Sequence, residues 1–249
     1  MKTRATLLVA GLTLGFGAVA QHAGDGGLHL EPANTDVSDI EALQRGAAYY
    51  VNYCLGCHSA EYVRYNRLGA DLGLTEAQLV ENLMFTGERP FDTMTIAMNP
   101  DDATRWFGVA PPDLSLIARS RGTDYLYNYL RGFYKDESTP SGSNNLWLAN
   151  TAMPHVLWEL QGIRTAVFRE PEGDVVALPA FEHFETVTPG TLSEEEYDEL
   201  VRDIVTFLDY IGEPMQLERQ ALGVRVIGFL LIFFLVAYML KREIWKDVH

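Results

Sequence analysis

The stretch VNYCLGCHSA, residues 51–60, holds both cysteines of the 249-residue chain and one of its six histidines within five positions. Three chemistries compete for such a cluster: a redox dithiol, a metal clasp, and a point of covalent cofactor attachment. A structural zinc site needs about four Cys or His ligands, and no second cysteine pair exists to complete one. A thioredoxin-like dithiol belongs near a βαβ pattern, which the flanking sequence lacks. The residue after the second cysteine points elsewhere: Cys54-Leu55-Gly56-Cys57-His58 is C-x-x-C-H, the pattern that attaches a c-type haem. Each thiol adds across a haem vinyl group, and His58 is placed to offer a ring nitrogen to the iron. With both thiols consumed, none remains for a structural disulfide.

The residues leading into the motif read as a helix. SDIEALQRGAAYYVNYC, residues 38–54, begins with a capping box, Ser38-x-x-Glu41, and repeats Ile40, Leu43, Ala47, Tyr50, Val51 and Cys54 at helical spacing. Gly46 interrupts it at a cost of about 1 kcal/mol relative to alanine, which predicts the close approach of another helix. The candidate partner is SEEEYDELVRDIVTFLDYIG, residues 193–212, capped by Ser193-x-x-Glu196, with Tyr197, Leu200, Val201, Ile204, Leu208 and Ile211 on one face.

The two ends decide the setting. Residues 1–20 combine basic Lys2 and Arg4, an apolar run from Leu7 to Val19 and a small-residue site Ala18-Val19-Ala20, the build of a cleaved secretory signal. The alternative of an uncleaved membrane helix suits this run poorly, because it is short and glycine-containing. Residues 222–240 are apolar except for Arg225, and nineteen residues at about 1.5 Å each reach roughly 28 Å, near the hydrocarbon thickness of a bilayer. A buried core helix is the alternative, but this run is apolar on every face, as a membrane span is. Lys241, Arg242 and Lys246 follow it, which places residues 241–249 in the cytoplasm and residues 21–221 on the exported side. Arg225, in the first turn, can snorkel to the headgroups. Without Lys2 and Arg4 the 19 basic side chains fall to 17 against 34 acidic ones, a formal charge of −17. Nucleic acid is a poor partner for such a surface; its field would speed encounter with a basic soluble protein or merely aid solubility, and charge alone does not choose between the two.

A haem iron held by one histidine takes methionine, histidine or nothing on its other face. Met84, Met94, Met98 and Met215 are candidates that usually prove to be core filler. Met153 stands out in NTAMPHVLW, residues 150–158, because Pro154 biases it toward an extended loop that can lie across a haem face. His155 is the competing ligand; residue physics favours Met153 without excluding it. Between motif and methionine, Pro111-Pro112-Asp113 reads as the opening of a short helix carrying Arg119 and Arg121, either of which could neutralise a haem propionate. A second helix, capped by Thr123, presents Tyr125, Leu126, Tyr129, Leu130 and Phe133. Residues 162–190 alternate around Pro171-Glu172-Gly173 as a β-hairpin, so the expected domain is mainly α with a small β insertion.

Taken together, LQRGAAYYVNYCLGCHSAEYVRYNRLGADLGL (43–74), WFGVAPPDLSLIARSRGTDYLYNYLRGFY (106–134), NTAMPHVLW and the anchor ending KREIWK resemble the cytochrome c1 family, in its proteobacterial form. The resemblance spans nearly the whole mature chain in the family's order. It implies a class I cytochrome c-like domain with one haem c bonded to Cys54 and Cys57, with His58 and Met153 as axial ligands. It also implies a propionate contact at Arg119 and pocket positions at Pro111, Pro112 and Tyr125. The implied role is electron transfer in the dimeric cytochrome bc1 complex, in the bacterial inner membrane with the haem domain in the periplasm. There an electron passes from the Rieske iron–sulfur protein to a basic soluble or tethered cytochrome c, while cytochrome b oxidises quinol. Competing readings are a stand-alone membrane-anchored cytochrome c and a haem peroxidase or gas sensor with an open sixth position.

Overall fold

A computed structural model of the protein describes residues 28–169 and 180–246. The expected signal segment and the hairpin turn at residues 171–173 lie outside the described residues. Helix α1 (Ile40–Tyr49) begins one residue later than its sequence suggests: Asp39, not Ser38, is the N-cap, and its carboxylate accepts from the Ala42 N–H at 3.1 Å. Ser38 Oγ instead donates to Asp36 at 2.5 Å, so a local turn takes up that hydroxyl before the helix starts. The helix runs directly into a π-helical turn, Tyr50–Cys54, where the Leu55 N–H reaches back to the Tyr50 carbonyl at 2.9 Å. Single π turns of this kind concentrate at functional sites, and this one ends on the first cysteine.

The chain continues through β1 (Ala60–Arg64), α2 (Tyr65–Asp71), α3 (Glu76–Asn82), β2 (Thr93–Met94), α4 (Pro100–Phe107), α5 (Ile117–Arg121) and α6 (Thr123–Arg131). Then follow β3 (Phe133–Lys135), β4 (Ser143–Asn145), α7 (Trp158–Gln161), β5 (Gly162–Arg169), β6 (Ala180–Pro189), α8 (Glu194–Gly212) and α9 (Gln216–Ile244). The expected hairpin is β5–β6, antiparallel from Gly162 opposite Pro189 to Arg169 opposite Ala180. Two further antiparallel pairs, β1–β2 and β3–β4, were not anticipated, because strands of two to five residues carry too few positions to show a period.

Two helix starts also differ from expectation. The Pro111–Asp113 stretch is irregular and α5 begins only at Ile117, since Asp113 and Ser115 spend their side chains on other segments. Thr123 is the first residue of α6 rather than its cap, and Gly122, at φ 89°, makes the turn between the helices.

The core is built on the crossing of α1 with α8. Leu43, Ala47 and Tyr50 pack among Val201, Ile204 and Phe207, with the Tyr50 and Phe207 rings 5.4 Å apart. The α8 capping box forms as expected, the Glu196 N–H donating to Ser193 Oγ at 3.3 Å and the Ser193 N–H to the Glu196 carboxylate at 2.8 Å. Gly46 lies at the crossing: a Cβ there would stand 2.1 Å from the Asp203 carbonyl oxygen and 2.8 Å from Phe207 Cβ. Arg45 beside it closes a two-bond pair with the Asp203 carboxylate at 2.6 and 3.0 Å. Helix α9, 29 residues long, is long and apolar enough to cross a membrane and buries none of its residues.

Replacing Gly46 by leucine forces α1 away from α8. The expected loss is about 3 kcal/mol, the upper end for overpacking, with Gly46→Ala costing less; thermal unfolding of the detergent-solubilised protein measures both.

Candidate functional site

The π turn places Cys54 and Cys57 as two free thiols one turn apart, with the Cys57 and His58 N–H groups both donating to the Cys54 carbonyl at 3.0 and 2.9 Å. Burial, with Cys57 alongside, pushes the Cys54 thiol up to about 12. The His58 ring is fixed by one bond: Nδ1 lies 2.7 Å from the Pro112 carbonyl oxygen. A carbonyl can only accept, so the proton sits on Nδ1 and the Nε2 lone pair is left free for a metal. Burial, opposed by that carbonyl and by Asp113, holds the His58 pKa below its ordinary value and favours the neutral ring a ligand requires.

Three more bonds tie the same two segments together, and a fourth braces the second segment internally. The Leu114 N–H donates to the Ser59 carbonyl at 2.8 Å, and the Glu61 N–H to the Asp113 carboxylate at 2.9 Å. The Tyr62 N–H donates to Ser115 Oγ at 3.1 Å, and the Ser115 N–H returns to Asp113 at 2.8 Å. Residues 112–115 thus form a strap over residues 58–62. On the other side of the motif, the Tyr50 hydroxyl donates to the His58 carbonyl at 2.7 Å. This explains why Asp113 starts no helix. Pro112 contributes through its carbonyl, and Pro111 is half-buried beside it.

Met153 is brought to the aromatic face of α6. The Tyr129 hydroxyl reaches Met153 Sδ at 3.6 Å and Thr151 Oγ1 at 2.8 Å. Tyr125 stacks on Tyr129 with centroids 6.0 Å apart, and Phe133 meets Tyr129 edge-on at 5.3 Å. The His155 ring lies parallel to Phe133 at 5.0 Å; burial and the nearby Arg164 lower its pKa to about 4. Its Nε2 is buried without a hydrogen-bond partner, as are Gln161 Oε1 and Arg164 Nε. Met84 and Met94 are core residues, and Met215 is exposed at the start of α9. Cys54, Leu114, Tyr125, Leu130 and Val156 all pack against one apolar core, which joins the two halves of the site.

Arg119 of α5 reaches the end of α8, donating to Glu213 at 2.8 Å with its side chain 55% exposed. Arg121 lies 6.0 Å over the Tyr125 ring.

The sequence reading missed Ser143, Asn144 and Asn145 of β4, three buried polar residues of which two hold the Met153 loop and the third ties β4 to α6. Asn145 donates to the Tyr129 carbonyl at 2.7 Å, Asn144 accepts from the Asn150 N–H at 2.8 Å, and Ser143 Oγ accepts from the His155 N–H at 3.2 Å. Their run, Ser-Gly-Ser-Asn-Asn, reads as a surface turn, and no period of apolar residues exposes it.

A helix that ends on C-x-x-C-H, a histidine oriented by a proline carbonyl and a methionine on a tyrosine-lined loop are the parts of a c-type cytochrome. The chain belongs to the cytochrome c1 family, whose sequence model matches residues 33–248. Proteins of this family bind haem c. Cytochrome c1 of Allochromatium vinosum is 51% identical over 227 residues, covering 91% of this chain and 93% of the relative. A Nitrosomonas europaea protein named ammonia monooxygenase gamma subunit is 44% identical over 228 residues, 92% of each chain. Cytochrome b/c1 of Bradyrhizobium diazoefficiens is 28% identical over 254 residues, 85% of this chain and 34% of that protein.

Asp113→Ala removes the acceptors of two backbone N–H groups. The expected cost is about 1–3 kcal/mol, read as a fall in Tm, with Asp113→Asn recovering part of it by keeping one acceptor oxygen.

Proposed function

We propose that the protein is the electron-carrying haem subunit of a cytochrome bc1 complex. Family membership that spans the C-x-x-C-H motif, the Met153 loop and the anchor together carries this reading. Cys54 and Cys57 would hold one haem c through thioethers, with His58 and Met153 as the ligands offered to its iron, and when bound it would supply a one-electron iron couple. His58 keeps its Nε2 lone pair aimed away from Pro112 because the Pro112 carbonyl holds the Nδ1 proton. Tyr129 orients the Met153 sulfur, and with Thr151 donating to Tyr129 the tyrosine proton is free to point at Sδ. That contact, and the turn of His155 onto Phe133, support Met153 over His155 as the ligand. Pro111, Pro112 and Tyr125 line the pocket. Arg119 is the propionate partner, its guanidinium retaining donors beyond the one given to Glu213.

In this role the chain takes one electron from the Rieske iron–sulfur protein and gives one to a basic cytochrome c, which the acidic surface attracts. A filled coordination sphere suits outer-sphere transfer rather than peroxide or gas chemistry. Cytochrome b, the site of quinol oxidation, is the neighbouring subunit, as the name of the Bradyrhizobium relative suggests. The domain is periplasmic after removal of residues 1–20, α9 is the single anchor, the C-terminus is cytoplasmic, and the complex is dimeric.

Gentle detergent purification tests the assembly: cytochrome b and a Rieske protein are expected to co-purify, and a reduced-minus-oxidised spectrum to show b-type haem. A lone cytochrome would sink the complex-subunit reading, and recovery with monooxygenase subunits would favour the role named in the Nitrosomonas relative. Met153→Leu is expected to keep covalent haem, lower the potential and block turnover; an unchanged potential would remove Met153 from the iron. Tyr129→Phe removes a donor to the ligand sulfur worth about 1 kcal/mol, so the one-electron potential should fall by roughly 40 mV in a spectroscopic redox titration.

A further inference from the structure

Only Glu213, Pro214 and Met215 separate α8 from α9, and α9 buries nothing against the domain. Within this chain, where α9 packs no face on the domain, the attitude of the helix is set at the joint. Glu213, the C-cap of α8, holds it from both sides. Its carboxylate accepts from Arg119 Nη1 of α5 at 2.8 Å. It also accepts from Arg219 in the first turn of α9, through Nη2 at 3.1 Å and through Nε on the other oxygen. The Arg219 hydrogen bond, with Arg119 adding to it, draws the Glu213 carboxyl below the ordinary range, so it is ionised at neutral pH.

The surroundings brace these contacts. The aliphatic stem of Arg119 lies over Gly212, where a Cβ would stand 3.3 Å from Arg119 Cγ. Across the joint, Arg67 Nη2 reaches Met215 Sδ at 3.4 Å. Arg67 is itself paired to Asp71 at 2.5 Å, and Asp71 accepts from the Tyr210 hydroxyl of α8 at 2.7 Å. On the domain side, α5 follows the strap directly: four residues before Arg119, Ser115 holds the Tyr62 N–H beside the motif that carries His58.

We infer that Glu213 is a positioning residue that sets the attitude of the haem domain on its membrane anchor, by tying α9 through Arg219 to α5 through Arg119. Because α5 is continuous with the strap on His58, the joint fixes the tilt of the haem plane against the membrane. This rests on the haem and anchor assignments proposed above. The shared carboxylate is essential to it: each arginine takes part of one acceptor group, and an amide offers a single oxygen and no charge for both.

The test uses membranes containing the full-length chain, dried as oriented multilayers, with electron paramagnetic resonance of the oxidised haem recorded against sample angle. The wild type is expected to give a sharply angle-dependent signal. Glu213→Gln and Arg219→Gln should at least halve that dependence with covalent haem content unchanged, and Arg219→Lys should retain it. Amide hydrogen exchange across residues 213–219, which needs no haem, should quicken several-fold in the two glutamine variants. Wild-type angular dependence, or wild-type exchange, in both variants overturns the inference. A wild type without covalent haem defeats the cofactor assignment instead, and exchange at the joint still decides the role of Glu213.

Discussion

The hydrogen bond from His58 Nδ1 to the Pro112 carbonyl is the contact on which the site depends. It joins segments 54 positions apart and does two things at once: it chooses the tautomer of the ring and aims it. A carbonyl cannot exchange its role with the ring as a hydroxyl or a water could, so the choice is permanent while the strap stays in place. Asp113 and Ser115 give that permanence by accepting, through their side chains, from the Glu61 and Tyr62 backbone N–H groups, which pins the strap to the segment that carries the imidazole. Behind the ring, the approach of α1 to α8 at Gly46 keeps the delivering helix from shifting.

The two halves of the site are stabilised by different physics. On the histidine side, helix packing and apolar burial dominate, with Tyr50 and Phe207 fully buried under the motif. On the methionine side, the loop from Asn150 to Leu157 is held by the Asn144 amide and the Ser143 hydroxyl of β4, while Asn145 ties β4 to α6. Hydrogen-bonded networks of this kind are effective only when all members are satisfied, so a single lost amide frees more of the loop than its own bond is worth. Apolar packing degrades gradually, whereas the amide network fails at once.

Much of this was legible in the chain. The C-x-x-C-H motif, the glycine in a helix, the capping box at Ser193 and the apolar run of α9 are local signals with a direct physical cause. Gly46 predicted a close crossing, and the Asp203 carbonyl is there to require it. What misled was side-chain hydrogen bonding, in one case within a local turn and in the others between distant segments. Ser38 and Asp39 are both good caps, and only the Asp36 turn decides between them. Asp113 reads as a helix-opening acid until the Glu61 N–H claims it. Asn144 and Asn145 look like turn residues, and their burial follows from the placement of α6, which no window of sequence contains.

The α1–α8 crossing joins Arg45 to Asp203, 158 positions apart. At the usual 5–20 residues per second, roughly 10–30 s of synthesis separates the two helices. Throughout that interval the Gly46–Ala47 face of α1 has nothing to pack on, and the cysteine motif it delivers hangs from an unfinished domain. Helix α8 is then followed within three residues by the apolar α9. The last piece of the core and the helix long and apolar enough to cross a membrane therefore arrive together, so completion of the domain coincides in time with the emergence of α9.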